Sequence, residues 1–268
     1  MKKAFLIALA LTPTLALAQD PPQKIDVSKL PNQAAVIDNV VVPLPSEIFQ
    51  VLDKMGRPEW EKVLRSMKDT RPRGGREQTS LLLGTVIAEG FIAVEAEDAE
   101  EVKKIGRTVL TLANAIGVQK AVIRRSNAII DSADKRNWLQ VRKELDGALS
   151  DVKEAMIELQ DESYAQLVSL GGWLRGTEAL TQVVRKKYTP DGAGLLHQPV
   201  LLEYFTRRID AMPARLKENA LVVRVRKGLS EIQPLVGTSD ANISENSVKE
   251  IGNVAERLVQ EINAKPNQ

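Results

Sequence analysis

The sequence predicts an all-α protein: an irregular bundle of about eight to ten helices, preceded by an extended, proline-containing arm. Three observations predict it. Beyond residue 45, apolar side chains recur at three- and four-residue spacing along nearly the whole chain. Glycine and proline interrupt that pattern at helix-length intervals. Only 221–226 alternates in the manner of a strand, and its Leu221, Val225, Leu229 and Ile232 fit a helical face better.

The first eighteen residues read as an export signal. Lys2 and Lys3 form a basic start, residues 4–11 an apolar run, and Ala16-Leu17-Ala18 the small-x-small pattern cut by signal peptidase. A retained anchor is the alternative, but a spanning helix needs about 20 apolar residues and this run is shorter. The expectation is cleavage after Ala18, leaving a mature chain in the periplasm or outside the cell with no transmembrane anchor. Loss of Lys2 and Lys3 would leave 35 basic residues against 35 acidic ones. The mature chain would then be neutral, whereas a nucleic-acid partner wants a basic stripe. There is no cysteine, which excludes thiol chemistry, iron–sulfur clusters, c-type haem and a lipoprotein anchor. A chain of this length can bury a sufficient core without disulfides in an oxidising compartment.

Residues 19–45 carry Pro21, Pro22, Pro31, Pro43 and Pro45, which forbid a continuous helix. The apolar piece 35–45 is expected to lie extended on the body, adding one strand. The remainder, 46–268, reads as one helical domain. Ser46 caps a helix closed by Gly56, and Pro58 opens another bearing Trp60, Val63, Leu64 and Met67. After a loop over 68–76 come helices over 77–96 and 98–116, with Gly117 as the stop. Helices over 119–131 and 134–160 follow, then one to about 187 opened by a Ser163/Gln166 capping box. Residues 189–194 read as a loop and 199–209 as a helix, with Pro213 at a break. A second capping box, Ser247 and Glu250, opens the last helix after a loop over 237–246. Segments 82–88 and 170–176 can be superposed, but they share only a leading Leu and a small-xxx-small spacing. A solenoid needs at least three repeats.

No catalytic or cofactor motif stands out. His197 is the only histidine, so sites built on two histidines are excluded, and it reads as an ordinary loop residue. Glu95, Glu97, Asp98, Glu100 and Glu101 lack the glycine turn and spacing of a calcium loop. They read as a solvated helix start whose acids favour the positive helix end. Basic groups at 71–73, 124–125, 185–187, 207–208 and 224–227 have no interleaved aromatics. The three tryptophans sit at helical spacing with aliphatics and are expected in the core.

Two segments carry the strongest signal. Residues 81–94 are apolar all round except for Thr85 and Glu89, and 167–180 place Gly171, Gly172, Gly176 and Ala179 around Arg175. A glycine inside a helix costs about 1 kcal/mol relative to alanine, and close backbone packing is the usual compensation. Gly84, Ala88, Gly171, Gly172 and Gly176 are therefore the expected close-packing positions. Glu89 and Arg175 are the expected buried ion pair, since a lone buried charge is too costly to keep. The rival placement puts each on a thin solvent-facing strip of its own helix. The functional expectation is a non-enzymatic exported protein that binds an envelope or other periplasmic partner, with no cofactor. The alternatives are a ligand cleft between the glycine-bearing helices 77–96 and 163–187, and an enzyme whose groups converge only in three dimensions.

Overall fold

In a computed structural model of the chain, the described residues are 58–65, 70–237 and 243–265, with the backbone of 35–37 and 40–42. They form an all-α bundle. Its helices are α1 (Trp60–Val63), α2 (Arg76–Glu95), α3 (Ala99–Ala115), α4 (Gln119–Asp134), α5 (Trp138–Glu158) and α6 (Glu162–Lys186). The chain continues through α7 (Pro190–Gly194), α8 (Pro199–Asp210), α9 (Ala214–Lys217), α10 (Ala220–Ile232), a 3₁₀ turn at Gln233–Leu235 and α11 (Glu245–Asn263).

Pattern decides position. Helix α2 has no polar face, so it can only be satisfied by neighbours on every side. It is buried from Thr79 to Val94, enclosed by α1, α3, α5, α6 and α11. By length and composition α2 could cross a membrane, yet 94% of its apolar window is covered by protein. The outer helices are amphipathic: α11 turns Val248, Ile251, Ala255, Leu258 and Ile262 inward along one stripe.

Four successive corners from α2 to α6 share one construction. Each helix ends with a residue of positive φ: Glu97 (53°), Gly117 (88°), Arg136 (51°) and Gln160 (58°). The N–H one position later bonds a carbonyl five residues back, as in Asp98 to Ala93 (3.0 Å) and Val118 to Ala113 (2.9 Å). Asn137 to Ser132 (2.9 Å) and Asp161 to Met156 (2.7 Å) repeat it. This satisfies carbonyls that a helix end would otherwise orphan. At two corners the next side chain caps the following helix: Asp98 accepts from the Glu101 N–H and Asn137 from the Gln140 N–H.

Several sequence expectations are corrected. The expected capping boxes are displaced: α6 follows Asp161, and α11 is capped by Ser244, whose hydroxyl accepts from the Ser247 N–H at 3.1 Å. Residues 190–194 are a short helix rather than a loop, because Thr189 caps it and Pro190 takes the first-turn position. The helix opened by Pro58 stops at Val63, with Leu64 extended. Of the arm, Ala35–Ile37 (β1) and Val40–Val42 (β2) pair antiparallel with each other, Val36 opposite Val41, and β2 lies beside α8. The helix expected over 46–56 lies outside the described residues.

Candidate functional site

The site begins with backbone contact. A Cβ on Gly84 would fall on the Val168 carbonyl of α6, and one on Gly171 would fall on the Leu81 carbonyl of α2. A Cβ on Gly172 would stand 3.4 Å from the Gly84 carbonyl oxygen. Only glycine lets the two helices approach this far. Ala88 is buried one turn beyond Gly84. Gly176 is different: a Cβ there would meet nothing within 4 Å, so its expected packing role is corrected. At the level of Gly84 and Gly171 the crossing is filled by backbone, which leaves no cleft between the helices there.

Both helices run the same way from this crossing, and one to two turns on they bring Glu89 and Arg175 together. Each side chain is 1% exposed. The Arg175 Nε donates to Glu89 Oε2 at 2.5 Å, and its Nη2 donates to Glu89 Oε1 at 3.2 Å. The solvent-strip placement therefore does not occur.

Sequence reasoning missed half of the cluster. Glu178, also 1% exposed, lies one turn beyond Arg175, and its Oε2 is 3.5 Å from Arg175 Nη1. Its Oε1 accepts from the Arg65 guanidinium and from Gln182 Nε2 at 3.2 Å. The stretch after α1 supplies backbone as well. The Val63 carbonyl accepts from Arg175 Nη2 at 2.7 Å, and the Arg65 N–H donates to Glu89 Oε1 at 2.5 Å. These two bonds explain why α1 stops: the backbone groups that would continue the helix are engaged by buried side chains. Glu178 was hidden because an acid three residues from an arginine reads as an ordinary surface pair. Arg65 was hidden inside an expected helix.

Two carboxylates and two guanidiniums balance in charge, as burial requires. Burial raises the Glu178 pKa above its ordinary value, outweighing the pull of Arg175 and Arg65. Burial also opposes the charge on Arg175, but Glu89 and then Glu178 more than offset it, and its pKa rises. Two facing atoms, Arg175 Nη1 and Glu178 Oε2, have no hydrogen-bond partner among the described residues.

The other candidates are dispersed among local bonds. His197 Nδ1 lies 2.7 Å from the Val236 carbonyl oxygen, tying the α7–α8 connection to the end of the 3₁₀ turn. Of the acidic group, Glu95 pairs with Arg142, Glu100 with Lys103 and Glu101 with Lys104. Among the described residues no group of His, Cys, Asp and Glu could hold a metal ion. The basic groups go to separate acids, Arg125 to Glu144 and Asp151, Arg226 to Asp210, and Arg224 to Glu261. Trp60 is in the core; Trp138 and Trp173 are half-buried at its edge, Trp173 donating to Gln198 Oε1 at 2.9 Å. No protein-family model, curated protein or solved structure matches the chain.

Proposed function

We propose that the chain is an exported, non-enzymatic helical protein that acts by holding a protein partner in the bacterial envelope. The carrying observation is the inward commitment of the most deeply buried charges among the described residues. Glu89, Arg175 and Glu178 are sealed, and their hydrogen bonds join α2, α6 and the stretch after α1. A general acid or base must reach the proton it transfers, and these groups reach other parts of their own fold. The lysine-led, apolar N-terminus with its Ala16-Leu17-Ala18 end supports export.

The outer surface offers isolated apolar anchors, Leu139 (75% exposed) and Val200 (59%). A photo-crosslinking residue at either position, in the chain expressed in its own host, tests the reading. The expected result is a chain beginning at Gln19 in the periplasmic fraction, joined to one discrete envelope protein. Retention of Met1 in the cytoplasmic fraction, or a diffuse smear of adducts, would overturn it.

A further inference from the structure

We propose that the face of α2 and α6 around Glu89, Arg175 and Glu178 is a binding site for a short arginine-bearing peptide, occupied in this structure by the chain's own residues 58–65. This rests on reading the chain as a binding protein, and it supplies the chemistry of what is bound.

The contacts have the form of peptide recognition. Arg175 donates to the carbonyl of Val63, and Glu89 accepts from the N–H of Arg65, two residues on. Those bonds read main chain, which any sequence can offer. Side chains then add selectivity. Glu178 takes the Arg65 guanidinium, while Trp60 and Val63 are 4% and 3% exposed against the core. At the outer end, Glu59 meets Lys186 of α6 at 3.1 Å. The segment thus presents an aromatic, an aliphatic three positions later and an arginine two beyond that, each at a matching group. A guanidinium opposite a buried carboxylate is the strong, directional form of such recognition.

Two further features set this segment apart from an ordinary core element. Its helix is a single turn, Trp60–Val63, too short to be stable by itself. It is held to α2 and α6 by ligand-like bonds. The fit is also loose, since Arg175 Nη1 and Glu178 Oε2 face each other at 3.5 Å and neither has a hydrogen bond among the described residues. Without residues 58–65, Glu89, Arg175 and Glu178 carry one net negative charge in an apolar setting, which selects a cation. A segment of the same chemistry from a partner, able to satisfy those two atoms, would compete with the resident one.

The test uses the full mature chain with Arg65→Ala and a fluorescent, end-blocked peptide of residues 58–65. Titration followed by anisotropy should show saturable binding, about tenfold tighter than to the wild-type chain, whose own segment competes. Arg65→Ala in the peptide, or Glu178→Gln added to the protein, should each weaken binding by about tenfold. A folded Arg65→Ala chain that does not bind the peptide, or binds it irrespective of that arginine, overturns the proposal. If Arg65→Ala does not fold, hydrogen exchange on the wild-type chain decides. Amides of 60–65 should exchange before those of α2, and exchange only together with α2 would refute a separable ligand. Because the titration uses purified chain, its failure and a failed envelope crosslink are separate results.

Discussion

Arg175 is the residue on which the interior balances. It is among the largest fully buried side chains of the protein, and it neutralises Glu89 directly and Glu178 across 3.5 Å. Truncation to alanine should destabilise by about 3–5 kcal/mol, because two carboxylates would remain buried without it. Urea unfolding measures this, and a midpoint close to wild type would show that water reaches the cluster. Glu178 makes a prediction of its own. Its folded pKa is raised above the ordinary 4.5, so the folded state keeps the proton at a pH where the unfolded chain has released it. That contribution is full below about pH 4.5 and is lost as pH rises through the folded value. Glu178→Gln cannot ionise, so its melting temperature should gain on wild type as pH rises above about 4.5 and level off once the folded carboxyl has ionised. A difference that stays constant throughout that rise would contradict the direction of the shift. The Glu89–Arg175 half of the cluster was legible because Glu89 is the one charge within 81–94 and Arg175 the one charge within 167–177. Arg65 and Glu178 were not, since what marks them is an unwound backbone and a partner from a distant part of the chain.

At the scale of the element, the glycines sort by what surrounds them. Gly84→Ala should lower stability by about 1–3 kcal/mol, since a methyl group there meets the Val168 carbonyl and the helices must separate. Gly176→Ala should raise it by about 0.5–1 kcal/mol, because space is open and alanine favours the helix. Thermal melts that rank the two variants the other way would refute the packing. Sequence spacing put both glycines in one class; only the neighbouring helix separates them. The corners offer a second test. Arg136 adopts φ 51° with its side chain exposed, at the same position of the corner that Gly117 fills one helix earlier. Arg136→Gly should stabilise by about 0.5–1 kcal/mol, since an L-residue in the left-handed region carries strain that glycine avoids. A lower melting temperature would mean that the arginine makes a compensating contact. The existence of the long helices from 76 to 186 was legible, whereas the short helix at 190–194 was read as a loop, and Ser163 and Ser247 misled because capping signatures recur inside helices.

For the molecule as a whole, burial concentrates on one element. Helix α2 contacts helices from both halves of the chain, from α1 to α11, so its amides should exchange only by global unfolding. Rapid exchange within 81–94 under native conditions would show that the bundle opens around it. The bundle class followed from apolar periodicity, but which helix is central did not follow from order along the chain; it followed from the lack of any polar face on residues 81–94. That same lack bears on biosynthesis. A chain threaded unfolded through a secretion channel exposes each segment in turn to lipid, and α2 is apolar enough to be mistaken for a stop-transfer anchor. A charge near the middle of such a segment disfavours its escape into the bilayer by about 2.5–3.5 kcal/mol. Glu89 lies within that segment, so on the export route proposed above the carboxylate that the finished fold must neutralise would also disfavour release of the segment into lipid.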